Sequence, residues 1–384
     1  MFSSTRIFAV MVKEFTQLSR DRLTYAMILL LPIVQLMLFG YAINANPKHL
    51  PVAVMVQDHG PLARSVLQAM TNTGYFDIVE EATSSRELDH ALESGKAQFT
   101  VTIPPDFSRK VVRGPDPSGL NGAPKGAQVL VEADASDPAS TGPALAALSG
   151  LAQTALVHDL KGPLQPRQAN QPFEVVLHAR YNPENVSAYN IVPGLLGVVL
   201  SMTLVMMTAL GMTRELERGT MEGLLATPVR PIEVMIGKLL PYIGIGLIQT
   251  VVILTLARVL FHVPFEGGWL ALALGTALFI VGSLALGFLI STAAKSQLQA
   301  MQASFFYLLP SILLSGFAFP FRGMPAWAQA IGTILPVTHF LRVIRGALLK
   351  GLGTGESWPS LAALSAFVLV VTGLAMARYR TTLD

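Results

Sequence analysis

The sequence predicts an α-helical polytopic membrane protein with six transmembrane helices and an inserted extracytoplasmic α/β domain. Of the 384 residues, 52% are hydrophobic and only 13% are charged, whereas soluble domains carry roughly 25% charged residues. Several charge-free runs are long enough to cross a bilayer core, which takes about 20 apolar residues as helix. Between the first two runs, predicted strands alternate with predicted helices, which is typical of an α/β domain.

The chain opens with two predicted membrane elements. In residues 1–22, apolar side chains recur at helical spacing with basic residues between them, which predicts an amphipathic interfacial helix. Residues 23–44 form the first predicted span. A cleaved signal peptide is the alternative, but the polar leader and the apolar run are both long, and no A-x-A site follows. Arg20 and Arg22 precede the span and predict a cytoplasmic N-terminus.

Residues 45–188 form the predicted α/β domain, which lies outside the cytoplasm because the first span begins inside. We predict strands at Pro51–Asp58, Tyr75–Ala82, Ala97–Ile103, Gln128–Ala133 and Phe173–Tyr181, and helices at Pro61–Asn72, Ser84–Ser94 and Pro138–Leu160. Residues 45–186 carry 11 basic and 15 acidic side chains, a net charge of −4. The remaining residues carry 16 basic and 9 acidic side chains, a net charge of +7. Positive charge beside membrane spans indicates topology and attraction to membrane lipid rather than a nucleic-acid surface.

Residues 189–384 form a predicted transmembrane domain with five further helices. The predicted spans are Ile191–Met212, Leu239–Phe261, Trp269–Thr292, Ala300–Phe319 and Leu361–Ala377. Segment 320–336 is apolar, too short to cross and bracketed by prolines, which predicts a re-entrant or interfacial helix on the outer side. Arg378 and Arg380 after the last span predict a cytoplasmic C-terminus. The basic side chains of Arg322, Arg342, Arg345 and Lys350 would then lie outside, against the positive-inside bias.

The sequence contains no pattern for catalysis or for binding a cofactor or metal. It has no P-loop, because Ile232 stands where the first glycine is required and Leu239 follows Gly237-Lys238. It has no cysteine, and its seven histidines lack metal-ligand spacing. Three domain acids, Asp58, Asp134 and Asp137, could form a carboxylate site, but strand ends and a helix cap are the favoured interpretation.

Charged side chains are scarce inside the predicted spans. Arg258 lies near the end of its span, where it can extend to the interface. Three uncharged polar residues, Gln35, Gln249 and Gln302, are candidates for lining a transport pathway or bonding between helices. A proton- or sodium-coupled carrier usually needs buried carboxylates, so their absence from the spans argues against that class.

A polar loop after the second span is the strongest candidate for function. Residues 213–228 carry charge and apolar area and can form a helix that ends before Pro228. Arg218 and Glu222 form an i,i+4 pair on it. Such a helix across the membrane face could receive force from a peripheral motor, while a plain interfacial loop remains the alternative.

Two stretches resemble a known family. E-R-G-T-M-E-G-L-L-A-T-P-V-R-P-I-E-V-M-I-G-K (Glu217–Lys238) resembles the signature of the type-2 ATP-binding-cassette (ABC) exporter permeases. Y-N-P-E-N-V-S-A-Y-N-I-V-P-G (Tyr181–Gly194) resembles the entry to the second span in the branch with a large external domain. The order of one span, an external domain and five spans also matches that branch.

The resemblance implies a permease that exports drugs, lipids or other amphipathic cargo from the bacterial cytoplasmic (inner) membrane. It implies two cytoplasmic ABC ATPase subunits that bind ATP and Mg²⁺, with no cofactor on this chain, and a second permease subunit that is identical or paralogous. The ATPases would dock on the N-terminal helix and on a coupling helix. The coupling residues carried over from the family are Arg214, Glu217, Arg218, Gly219, Thr220, Glu222, Thr227 and Pro228.

Two questions stay open at the level of the sequence. A periplasmic adaptor could bind the external domain. A membrane-anchored receptor or assembly factor, whose external domain binds a partner, is the alternative to an exporter subunit. The segment Glu217–Pro228 discriminates the exporter hypothesis from the receptor hypothesis. An exporter needs this segment for coupling, whereas a receptor would tolerate any polar linker there.

Overall fold

The computed structural model describes residues 48–113, 126–136, 138–160, 172–184, 186–217 and 231–378. The predicted interfacial helix 1–22 and first span 23–44 lie outside these ranges. Most of the predicted coupling helix 213–228, from residue 218 onward, also lies outside the described ranges.

One five-stranded sheet organises the first half of the chain. Its strands are β1 (Leu50–Val56), β2 (Phe76–Glu81), β3 (Phe99–Ile103), β4 (Ala127–Asp134) and β5 (Phe173–Arg180). Their order is β2-β1-β3-β4-β5, and all neighbours are parallel except β3 and β4. The helices described in this α/β domain are α1 (Pro61–Asn72), α2 (Ser85–Glu93), α3 (Phe107–Arg113) and α4 (Pro138–Thr154). Helix α4 ends six residues before the predicted Leu160, and α3 was not predicted. The other elements lie within about two residues of their predicted bounds.

The sheet is buried on both faces around β1. Val52 and Val54 enter the core covered by α1, α3 and α4, whereas Ala53 and Met55 face α2 on the other side. This alternation is the period of two expected of a strand. Helix α2 begins at the predicted serine cap, where the Ser84 hydroxyl accepts a hydrogen bond from the Glu87 amide at 3.4 Å.

In the second half, the structure describes seven helices between residues 187 and 378. They are α5 (Ser187–Glu217), α6 (Pro231–Phe261), α7 (Trp269–Ala293), α8 (Gln297–Leu314), α9 (Ala326–Gly332), α10 (Pro336–Lys350) and α11 (Thr354–Arg378). Within the described residues, four segments are long and apolar enough to cross a membrane: Ser187–Glu215, Leu240–Phe261, Trp269–Ala293 and Thr354–Arg378. The pair α9 and α10, bent by 81°, would make a fifth as one broken span.

Helix α8 differs from the predicted span Ala300–Phe319. It has 18 residues and ends at Leu314, so it rises only about 27 Å, and a hydrocarbon core is about 30 Å thick. Glutamines at 297, 299 and 302 lower its hydropathy, and the chain turns at Gly316 with φ +86°. This helix is therefore not among the candidate spans.

Helix α10 is the main element that the sequence analysis did not assign. Prediction placed a re-entrant segment at 320–336 and left the following residues as an outer segment. The bend between α9 and α10 is consistent with a re-entrant segment or a broken span, so the re-entrant assignment stays a prediction. The following residues form α10, which packs against α5, α7 and α11. The Phe340 ring stacks on Phe279 with centroids 4.3 Å apart. The chain bends before Pro336 because Leu335 takes an extended conformation (φ −76°, ψ 129°), as a residue before proline prefers.

The α/β domain packs on one end of the helices. The Lys350 ammonium donates to the Asp134 carboxylate and lies 5.0 Å from the centre of the Tyr181 ring. Burial, followed by the charge of Asp134, raises the pKa of Tyr181 to about 12. Arg322 donates to the carbonyl of Gly95. We call this the α/β end, and the end where α5 stops and α8 starts the opposite end.

We expect the Lys350–Asp134 ion pair to stabilise the packing of the α/β domain on the helices. The two side chains are only 9% and 13% exposed. Lys350→Met would leave the Asp134 charge without its partner, so we expect a loss of about 3–5 kcal/mol in the free energy of unfolding. The change in stability is measured by thermal unfolding of the full chain in detergent, monitored by tryptophan fluorescence.

Two further variants serve as controls for this prediction. Lys350→Met/Asp134→Asn removes both charges and should recover most of the loss. Lys96→Met breaks the exposed pair Lys96–Glu80, whose side chains are 60% and 28% exposed, and should change the free energy by less than about 1 kcal/mol. Equal unfolding midpoints for Lys350→Met and Lys96→Met would contradict the prediction.

Candidate functional site

The candidate site lies at the opposite end, where α5 meets α8. Of the eight predicted coupling residues, the structure describes Arg214 and Glu217, both exposed in the last turn of α5. The other six lie outside the described residues: Arg218, Gly219, Thr220, Glu222, Thr227 and Pro228.

Glu217 joins α5 to the first residue of α8. Its carboxylate accepts a hydrogen bond from the Gln297 backbone amide at 2.7 Å and another from Gln297 Nε2 at 2.6 Å. Arg214 Nε donates to Gln297 Oε1 at 3.4 Å. The Gln297 side chain therefore contacts both predicted coupling residues.

Helix-end chemistry explains this arrangement. The first amides of a helix have no partner within the helix, and the helix dipole favours negative charge there. Ser296 caps α8 by accepting from the Gln299 amide at 3.2 Å, and Gln299 Oε1 accepts from the Lys295 amide at 2.9 Å. Glu217 supplies an acceptor for Gln297 from a different helix. The hydrogen bonds from the Gln297 side chain, then from its backbone, lower the pKa of Glu217, so the carboxylate stays ionised near neutral pH.

The Glu217–Gln297 contact lies next to segment 218–230 in the chain, so it links that segment to two helices. Residue 218 follows Glu217 directly, and α6 begins at Pro231. A displacement of segment 218–230 therefore acts on α5 through the chain and on α8 through the Glu217–Gln297 hydrogen bonds. The sequence analysis missed Gln297, although the pattern Ser296-x-x-Gln299 before an apolar run marks a capped helix start.

Two of the three predicted pathway residues, Gln249 and Gln302, lie on helices that contact α5. Gln249 Nε2 on α6 donates to Thr203 Oγ1 on α5 at 3.3 Å. Gln302 on α8 has a buried Oε1 without a hydrogen-bond partner among the described residues. Gln35 lies outside the described residues. These contacts support bonding between helices for Gln249 and leave a pathway role for all three as a prediction.

Other polar residues that the sequence analysis discussed hold local structure. Asp58 accepts from the amides of Gly60 at 2.7 Å and Ser108 at 2.6 Å. Asp134 ends β4 and pairs with Lys350, and Asp137 lies outside the described residues. Arg258 Nη1 donates to the Val263 carbonyl at 3.1 Å just beyond the end of α6.

We expect the Glu217–Gln297 contact to protect the Gln297 amide from hydrogen exchange. Glu217→Ala removes the acceptor of the Gln297 amide, so hydrogen exchange at this amide should speed up by about two- to tenfold. Hydrogen–deuterium exchange of the peptide spanning residues 295–300 measures it. Lys295→Ala is the matched control, because that side chain is exposed and should leave the Gln297 amide unchanged. Equal exchange in both variants would show that the contact does not protect α8.

Comparison with known proteins places this geometry in a family. The profile described as "ABC-2 family transporter protein" matches residues 22–377. The probable multidrug ABC transporter permease YbhS of Escherichia coli K12 is 29% identical over 357 residues, covering 91% of this chain and 90% of YbhS. The probable multidrug ABC transporter permease YbhR of the same organism is 26% identical over 375 residues, covering 98% of each chain.

A more distant relative shows how the family extends. ABC transporter G family member 20 of Dictyostelium discoideum is 26% identical over 346 residues, covering 90% of this chain and 46% of that protein. Because the profile spans nearly the whole sequence and two relatives align end to end, the chain belongs to the ABC-2 type transporter permease family.

Proposed function

We propose that this chain is the membrane-spanning subunit of an exporter for drugs, lipids or other amphipathic cargo, powered by ATP hydrolysis on separate cytoplasmic ATPase subunits. The family membership and the names of the E. coli relatives support a permease that handles drug-like molecules. The observation that carries the coupling part of the proposal is the hydrogen bonding of Glu217 to the first residue of α8.

The proposed coupling runs from the loop into the helices. ATPase subunits dock on segment 218–228 and on the N-terminal segment 1–22, and ATP and Mg²⁺ bind to them rather than to this chain. Their closure moves the loop, and Glu217 passes the displacement to α5 and α8 together. Helix α5 has 31 residues and is about 46 Å long, so it carries the motion to the α/β end.

The proposed orientation places the α/β end outside the cytoplasm and the opposite end inside. Arg214, Lys295 and Arg378 lie at helix termini or in a loop at the opposite end, in line with the positive-inside bias. The basic cluster at the α/β end runs against that bias: Arg322, Arg342, Arg345 and Lys350. Both termini are then cytoplasmic, in the bacterial inner membrane. A second permease subunit, identical or paralogous, completes the translocation unit, and the α/β domain is placed to bind a periplasmic adaptor.

Single cysteine substitutions test the orientation, since the chain has no cysteine of its own. Ser85→Cys on α2 and Glu266→Cys in the α6–α7 loop are exposed at the α/β end, so a membrane-impermeant maleimide should label both from outside. Lys295→Cys and Thr220→Cys should react only after the membrane is opened. Labelling of the last two from outside would overturn the orientation.

Substitutions in the loop test the coupling. Glu222→Lys or Gly219→Trp should leave insertion unchanged but reduce ATP-dependent uptake of an amphipathic fluorescent dye into inverted vesicles by about tenfold, the size of a typical coupling energy. Glu81→Lys, a charge reversal at an exposed residue of β2, is the matched control and should keep wild-type uptake. Normal uptake by both loop variants at equal expression would exclude the coupling role.

A further inference from the structure

A cavity of about 390 Å³ lies between the α/β domain and the helices, well away from the coupling site. Its walls come from the α2–β3 turn and the end of β4 on one side, and from α10, the 3₁₀ turn Phe321–Gly323 and the start of α11 on the other. Its volume falls within the range of about 300–1,000 Å³ that is usual for sites of small molecules.

The cavity gathers cationic side chains from one wall. Arg322, Arg342, Arg345 and Lys350 all line it, together with the acids Glu93, Asp134 and Glu356. Two of these acids already have donors: Asp134 pairs with Lys350, and Glu356 accepts from the Gly353 amide at 2.9 Å. With Lys350 and Asp134 paired, three arginines face the carboxylates of Glu93 and Glu356, so the lining keeps a small positive excess of one charge.

Two of the guanidinium groups contact neutral groups. Arg322 donates to the Gly95 carbonyl, and Arg342 lies 5.0 Å from the centre of the Phe321 ring. Within the part of the chain that the structure describes, neither arginine has a carboxylate within 4.0 Å. Arg322 is partly buried and Arg342 is exposed. The charge of Asp134, which already pairs with Lys350, also acts on Arg322, whereas the like charge of Arg342 opposes it. An anion between the two guanidinium groups would offset this repulsion.

We propose that this cavity is a binding site for a phosphate-bearing anion, held by the guanidinium groups of Arg322 and Arg342. The planar fork of arginine matches the oxygen geometry of phosphate and can donate two parallel hydrogen bonds. The hydroxyls of Ser136, Ser357 and Ser360 also line the cavity and could donate to the anion. Those of Ser94 and Ser315 already donate to the carbonyls of His90 and Ile312. The ligand would contact both the α/β domain and α10, so its binding would favour their packed arrangement.

The apolar side chains of the lining raise the question of whether the phosphate belongs to a lipid or to a soluble molecule. Phe321, Leu341 and Leu352 line the same cavity, so an attached hydrocarbon body has apolar side chains to pack against. A phospholipid head group and a soluble phosphate share the chemistry that the arginines recognise. The two sources are separated by experiment. The proposal does not depend on the exporter function, since it concerns only binding.

The test uses the purified full chain with two probes. Inorganic phosphate is added to the chain in neutral detergent, with chloride matching the ionic strength, and the unfolding midpoint is followed. Separately, the chain is placed in nanodiscs of phosphatidylcholine with or without phosphatidylglycerol, and bound lipid is counted by native mass spectrometry. We expect stabilisation by phosphate, retention of phosphatidylglycerol over phosphatidylcholine, or both.

Variants assign the binding to the two arginines. Arg322→Gln/Arg342→Gln should weaken the affinity for the anionic probe by about tenfold or more, because hydrogen bonds to charged groups are among the stronger ones. Arg86→Gln/Arg109→Gln removes two exposed arginines of the α/β domain and should bind like the wild type. The single variant Arg342→Gln separates lost binding from misfolding. Its side chain is exposed and contacts the face of the Phe321 ring. This variant should weaken binding while keeping the unfolding midpoint of the ligand-free protein.

Each outcome decides the proposal. A response to inorganic phosphate that the double variant loses supports a site reached from water. A response to phosphatidylglycerol alone, lost in the same variant, supports a lipid head group as the ligand. No response to either probe overturns the proposal, as does an equal response from the wild type and the Arg322→Gln/Arg342→Gln variant.

Discussion

The burial of one face of α10 is the constraint on which the α/β end of the molecule depends. Phe340 stacks on Phe279 and Ile344 is fully buried among α5, α7 and α11. With that face fixed, the basic side chains of α10 have to leave from the other face, toward the α/β domain. There Lys350 meets Asp134, while Arg342 borders the cavity. The cluster of basic residues that violates the positive-inside bias in the sequence thus has a structural role at the junction.

At the opposite end, the carboxylate of Glu217 links two of the described helices. Glu217 ends α5 and accepts the first amide of α8, so two helices that contact each other also share a terminal hydrogen bond. An exposed hydrogen bond of this kind adds little to stability. Its value lies in geometry, because it ties the start of α8 to the residue next to the loop that ATPase subunits are proposed to move.

Sequence periodicity predicted regular elements well and predicted tertiary contacts poorly. Helix α1 spans the predicted residues Pro61–Asn72, because Pro61 suits a first helical turn and the apolar spacing is regular. Helix α10 escaped prediction because it is shorter than a membrane span and carries basic residues, although Phe340, Ile344 and Leu348 recur at helical spacing. Coupling residues 214 and 217 came from family resemblance, whereas Gln297, 80 residues later, could not, because a contact between distant residues leaves no local signal.

Gentle purification of the tagged chain from its native membrane, with co-purifying subunits identified by mass spectrometry, tests the central claim most directly. A permease driven by separate motors predicts a stoichiometric ATPase that carries a P-loop. The same preparation distinguishes an identical from a paralogous second permease. Recovery of extracytoplasmic partners alone, under conditions that preserve other ABC complexes, would contradict the account and favour a membrane-anchored receptor.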